Sequence, residues 1–275
     1  MSERRPGAGR IWAGGLLLAL LALAVWAAPL LAPQDPLRVE LGQRLQPPSA
    51  AHLLGTDQLG RDQLSRLLYG GRVSLLAGLA ASGVALVLGL AWGVGAGLAG
   101  RTGDFLLMRT ADVGLAFPGL LLALVLVGTW QGGMVALVTA LTLTGWAWWA
   151  RLARGLIQEA KSREYVLGGR ALGVGGWRLL GCYLLPQMGP PLAVAAAMKT
   201  GWIIVALSAL GYLGLGIQPP HPEWGAMLQQ SRLYMSRAPW LMLAPGGAVF
   251  LVVLACNLIA EGLRRRWQIR EVRWL

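Results

Sequence analysis

Apolar runs of about twenty residues, the length that carries a helix across roughly 30 Å of hydrocarbon, recur along the chain at approximately 11–32, 73–99, 111–129, 132–152, 187–215 and 239–262. Polar residues collect between these runs. The pattern predicts an all-α membrane protein with six transmembrane helices. Arg4, Arg5 and Arg10 precede the first run, as basic residues precede a secretory signal, but its apolar stretch exceeds the roughly 7 to 15 residues of such signals and predicts a retained anchor.

Composition agrees, since 56 % hydrophobic side chains against 13 % charged ones in 275 residues exclude an ordinary soluble domain. The formal charge of +12 raises nucleic acid as a partner, yet the cations lie between apolar runs, where positive-inside bias accounts for them and no nucleic acid is expected. With the N-terminus in the cytoplasm, the inside segments hold 16 of the 24 Lys and Arg and the outside segments hold seven, and Lys199 sits within a span. Both termini are therefore expected on the cytoplasmic side of the membrane. Cys182 and Cys256 lie in apolar runs and are too few for a disulfide framework or a metal site; they read as packing residues.

The inside segment 152–186 is long for a connector, and its part EYVLGGRALGVGGWRLLGCYLLP (164–186) holds six glycines with Glu164, Arg170 and Arg178. Leu152, Leu156, Ile157, Tyr165, Val166 and Leu172 allow short amphipathic helices. Gly173, Gly175 and Gly176 permit a turn, and Pro186 marks the next span. A helix, a turn and a helix along the membrane face are predicted, either as a basic loop on lipid headgroups or as a dock for a soluble partner.

Three chemistries find little support. GLIQEAKS (155–162) approaches a phosphate-binding loop, but Ala160 replaces the required second Gly and a Trp-rich span precedes it instead of a strand, so ATP is not expected on this chain. A membrane hydrolase needs a base beside its nucleophile, whereas His52 and His221 fall in outside loops and Ser208 has no base at hand; no catalytic or metal-binding residues are assigned. An ion-driven carrier needs buried carboxylates, and the spans offer only Asp112 and Glu261 near their ends.

Segment 164–186 resembles the signature loop of ABC importer permeases, a Glu-Ala-Ala triplet followed at fixed spacing by Gly, an apolar residue and Leu-Pro. Here that spacing is kept by Leu167, Gly168, Gly169, Gly173, Tyr183, Leu185 and Pro186, with Leu167 in place of the family's Glu and two glycines in place of its alanines. HLLGTDQLGRDQLSRLLYGGRVSLLAG (52–78), DVGLAFPG (112–119), GYLGLGIQPPHPEWGAML (211–228) and CNLIAEGLR (256–264) are similar to the second permease subunit of dipeptide, oligopeptide and nickel importers. The resemblance implies the type I ABC importer permease fold and a coupling role for those seven residues, through which an ATPase moves the spans. It also implies a homologous permease, two cytoplasmic ATPase subunits carrying ATP and Mg, and an extracytoplasmic substrate-binding protein. The first span would be an appended helix within 1–71, residues 72–262 the five-helix core and 263–275 a basic cytoplasmic tail.

Peptide is the expected cargo and nickel or a metal chelate the alternative; WAWWAR (146–151) resembles the nickel-type members, although interfacial tryptophans are ordinarily anchors. Lys199 favours peptide. It lies about 13 residues into its span, at a depth that costs roughly 2.5 to 3.5 kcal/mol on insertion scales. Such a lysine either snorkels or pairs locally, against which stand its distance from both interfaces and the lack of an acidic residue within one or two turns, or it faces the translocation pathway with Trp202 nearby, offering a positive point to a carboxylate and repelling a bare cation.

Overall fold

A computed structural model of the chain describes residues 7–130 and 132–269; Arg4, Arg5, Arg270 and Arg273 of the charge tally lie outside the described residues. Within them the regular elements are helical, and a lone bridge joins Thr56 to Asp62. In chain order the α-helices are α1 (Ala8–Trp26), α2 (Ala28–Leu31), α3 (Gln63–Leu98), α4 (Arg101–Leu115), α5 (Gly119–Thr129), α6 (Met134–Lys161), α7 (Glu164–Ala171), α8 (Gly176–Leu179), α9 (Leu185–Leu210), α10 (Trp224–Ser231) and α11 (Trp240–Arg266). Two π-helical stretches, Leu180–Leu184 and Gly211–Leu215, flank α9, so one helical run extends from Gly176 to Leu215.

Among the described residues, four helical runs are long and apolar enough to cross a membrane: Ala8–Trp26, Gln63–Leu98, Gly176–Leu215 and Trp240–Arg266. The third expected span, 111–129, is not continuous: α4 and α5 meet at a bend of 77°, and together they make a fifth candidate. Pro118 at the N-cap of α5 explains the break, because proline donates no N–H to a preceding turn and biases Phe117 away from the helical region. The expected span 132–152 forms the first two thirds of α6, but the helix runs on to Lys161. Its tryptophans and its arginines at 151 and 154 dilute the hydropathy, and α6 is not among the membrane-length apolar helices. Helix α3 starts at Gln63, ten residues before the expected 73, capped by Asp62, whose carboxylate accepts from the Ser65 N–H.

The helices meet through small residues. Helix α3 crosses α6 where a Cβ on Gly89 or Gly93 would run into Trp149 and the Ala150 carbonyl, so the backbones approach more closely than any side chain would allow. Helix α1 packs on α11 in the same way, Gly14 facing Ala255 and Gly262 facing Ile11. Arg72 of α3 fastens the other end of α1 by donating to the carbonyls of Val25 and Trp26. The main core joins Ala77 and Ala81 of α3, Val127 of α5, Leu137 and Leu141 of α6 and Leu207 of α9. Outward faces are apolar as well: Leu20, Val87, Val125, Val135 and Phe250 are exposed, as lipid-facing side chains are.

Candidate functional site

At the end of the bundle where α3 and α6 finish, the helix–turn–helix expected within 152–186 is formed by α7, a turn and α8. Residues 152–161 extend α6 instead of forming the connector. Gly173 sits in the turn at φ +81°, a left-handed conformation that side-chain-bearing residues disfavour, and its amide donates to the Arg170 carbonyl. The segment rests on its own apolar cluster, in which Ile157 and Ala160 of α6 meet Val166, Leu179, Leu184 and Met188. Lys161 caps the C-terminus of α3 by donating to the Gly97 carbonyl; burial there lowers its pKa, and the nearby Arg170 lowers it further.

The seven motif residues do not form one patch. Gly169 is buried and lies against the Tyr183 ring, where a Cβ would come within 2.9 Å of it, and Tyr183 in turn stacks on Tyr165 with ring centroids 6.4 Å apart. A glycine therefore suits position 169 better than the family's alanine. Gly168 faces open space and nothing in the structure requires it to be glycine. Leu167, Leu185 and Pro186 are exposed, and so is Trp177, which sequence reasoning did not single out. Glu164 stands in the first turn of α7, where a carboxylate favours the helix dipole. The structure thus joins Gly169 to Tyr183 and leaves Leu167 with Leu172 and Trp177 as exposed apolar side chains.

Lys199 is half-buried midway along α9. Its Nζ lies 4.3 Å from the centroid of Trp148 on α6 and 5.0 Å from that of Trp202, one turn further along α9. Among the described residues no carboxylate pairs with it. Two indole faces therefore offset part of its lost hydration. Met198, Trp202 and Val205 are exposed beside it. Trp202 was expected here; Trp148 was not, because its approach depends on the packing of α6 against α9.

At the opposite end of the bundle, the segment expected on the outer side of the membrane contains a buried polar network that sequence reasoning missed. Asp57 accepts from Arg61 Nε at 2.7 Å, lies 3.4 Å from Arg66 Nε, and takes the backbone amides of Leu59 and Arg61. Both arginines also donate to Gln230 Oε1, at 3.3 and 3.1 Å. His52 bridges Asp62 and Gln43, at 3.0 and 2.7 Å. The recurrence of Asp57, Arg61, Asp62 and Arg66 at four-residue offsets was the available signal. Nearby, fully buried Glu223 caps α10, accepting from the amides of Gly225 and Ala226 and from Ser74 of α3; burial raises its pKa, and these three donors offset only part of that rise.

Residues 86–269 match the family described as binding-protein-dependent transport system inner membrane component. A di/tripeptide transport system permease protein of Pseudomonas aeruginosa (strain UCBPP-PA14) is 42 % identical over 258 residues, covering 91 % of this chain and 85 % of the relative. A glutathione transport system permease protein of Pectobacterium atrosepticum is 41 % identical over 253 residues, covering 92 % and 84 %. A nickel transport system permease protein of Escherichia coli (strain K12) is 39 % identical over 249 residues, covering 90 % of each. A crystal structure of an amino acid ABC transporter with histidines shares the fold at a TM-score of 0.57 and 13 % identity, covering 73 % of this chain and 94 % of that one.

Proposed function

The chain belongs to the binding-protein-dependent transport system inner membrane components, and from that membership we propose that it forms half of the translocation pathway of an ATP-driven importer of short peptides. It is an inner-membrane permease subunit of an ABC importer. In this reading the bundle crosses the membrane six times: the four long apolar runs, the bent pair α4–α5 and α6. Both termini lie in the cytoplasm, α1 is the appended helix, 72–262 is the core and 263–275 is a basic tail. A homologous permease completes the pathway, and an extracytoplasmic protein delivers the cargo.

Two cytoplasmic ATPase subunits bind ATP and Mg, and α7 with its turn is the surface on which they act. Leu167, Gly168, Gly169, Gly173, Tyr183, Leu185 and Pro186 are the coupling residues. The cluster beneath α7 supports this role, because a segment packed on the ends of α6 and α9 moves with them as a body.

Peptide as cargo rests on Lys199. Its ammonium, set between Trp148 and Trp202, presents one positive charge with aromatic walls. Such a point suits the carboxylate of a peptide C-terminus and repels a bare divalent cation. Nickel remains as a second reading because of the nickel permease relative, and it would require the metal to arrive within an anionic chelate.

Lys199→Met in the assembled transporter tests the proposal. Uptake of zwitterionic and anionic peptides should fall several-fold while insertion and abundance are retained. Unchanged uptake and cargo preference would refute the pathway role. Transport that persists without ATP hydrolysis, driven by an ion gradient alone, would refute the importer reading itself.

A further inference from the structure

A recess of about 560 Å³ opens between α4 and α6, lined by none of the seven motif residues and not by Lys199. One face of α4 supplies Arg101, Asp104, Phe105, Met108, Arg109 and Asp112, at the three- and four-residue steps that align side chains along a helix. Helix α6 supplies Arg151 and Arg154. Asp104 takes both Nε and Nη2 of Arg154, at 2.7 and 2.6 Å, and Asp112 takes Arg151 at 2.6 Å. Four guanidinium groups against two carboxylates leave a surplus of two positive charges. That surplus resides on Arg101 and Arg109. Arg109 stacks over Phe105 at 4.9 Å and only grazes Asp112 at 4.0 Å.

The surroundings indicate what such a recess faces. Phe105 and Met108 line the recess beside the guanidinium groups, and Leu106 and Val113 are exposed on the next face of α4, so the recess and its surroundings are part apolar and part cationic. Trp92 donates its indole N–H to the Leu107 carbonyl at 2.9 Å and meets Trp146 edge to face, which sets amphipathic rings at the same level. Arg101 follows directly on the C-terminal end of α3, and Arg109 stands about two turns along α4 near the Trp92–Leu107 contact; cations and indoles gathered at one end of a spanning bundle are what a headgroup region favours.

We propose that this recess holds the phosphodiester headgroup of an anionic phospholipid, with Arg101 and Arg109 as its ligands and Phe105 and Met108 against its glycerol and upper acyl carbons. Guanidinium matches phosphate oxygens in pairs, and basic recesses between helices at the membrane surface select anionic headgroups. A zwitterionic headgroup leaves the surplus charge unmatched. A free phosphate meets the charge but leaves the apolar side chains uncovered.

The test uses the assembled transporter in detergent, titrated with phosphatidylglycerol or phosphatidylcholine, with retained lipid counted by native mass spectrometry. Wild type should keep phosphatidylglycerol at least tenfold more strongly than phosphatidylcholine. Arg101→Gln with Arg109→Gln should remove that preference, each arginine accounting for about fivefold. Arg101→Lys with Arg109→Lys should preserve most of it, which separates lost charge from lost folding. Equal retention of both lipids by wild type, or a preference that survives the double Gln change, overturns the proposal. Displacement of phosphatidylglycerol by millimolar inorganic phosphate assigns the recess to the free anion and also overturns it. So does crosslinking that finds Arg109 covered by another subunit.

Discussion

Asp57→Asn is the most exposing change for the buried outer network. Arg61 and Arg66 flank this carboxylate with side chains 4 % and 1 % exposed, and Asp57 itself is 4 % exposed. Asparagine keeps one oxygen for the amides of Leu59 and Arg61 but removes the only anion within 4 Å of the two guanidinium groups among the described residues. Removing one partner of a buried pair costs about 3 to 5 kcal/mol, chiefly because the remaining charge is left buried and uncompensated. At roughly 2 to 4 °C per kcal/mol for a chain of this size, the unfolding midpoint should fall by about 6 to 20 °C. Buried Cys256 supplies the assay: in a Cys182→Ser background, a thiol-reactive dye reports its exposure as the temperature rises. Adding Arg66→Met should restore part of the loss, since it removes an orphaned cation. A midpoint within about 2 °C of wild type would refute the view that Asp57 clamps this end of the bundle, and so would a full loss of transport at unchanged stability.

In α7, Gly168→Ala should stabilise the helix by up to about 1 kcal/mol and leave transport unchanged, whereas Gly169→Ala should displace the Tyr183 ring and uncouple ATP hydrolysis from uptake; equal behaviour of the two variants in an uptake and ATPase assay would contradict the packing. Gly173→Pro should abolish transport without preventing insertion, because the position holds φ +81° and proline is fixed near −65°; wild-type uptake would reduce the segment to a plain connector. Burial raises the Glu223 pKa above its ordinary 4.5, so the folded state holds a proton that the unfolded state has released. Its contribution to stability is then greatest below pH 4.5 and is lost as pH rises through the folded value. Glu223→Gln should flatten that part of a melting-temperature profile, and an unchanged slope would show that Glu223 is charged throughout.

The sequence exposed the long apolar runs because their cause is local. The expected run 239–262 is α11 almost to the residue at its start, where Pro239 precedes Trp240, and 187–215 lies within the helical run that ends at Leu215. The start of α3 was less legible, since Arg66 and Arg72 read as loop charges. Their partners are distant: Gln230 lies 164 residues from Arg66, and the Val25 carbonyl lies 47 from Arg72. With those partners, both arginines fit within a helix. The break between α4 and α5 was announced by Pro118, but a count of apolar residues does not register a bend. Lys199 could be placed by depth alone, whereas Trp148 could not, because two helices must pack before its indole meets the ammonium. Glycines at 168 and 169 read identically in sequence, and only Tyr183, fourteen residues after Gly169, tells them apart.

The packing of α1 on α11 sets a timetable for biogenesis. Some 240 residues separate Gly14 from Ala255, the backbone it faces. At roughly 5 to 20 residues per second, about 12 to 50 s of synthesis pass before that neighbour emerges from the ribosome. During that interval the small-residue face of the first helix is open to lipid or to whatever attends insertion. The bundle closes only when its last helix arrives. A nascent chain halted before Ala255 should therefore expose the α1 face to crosslinking, and release of the last helix should hide it.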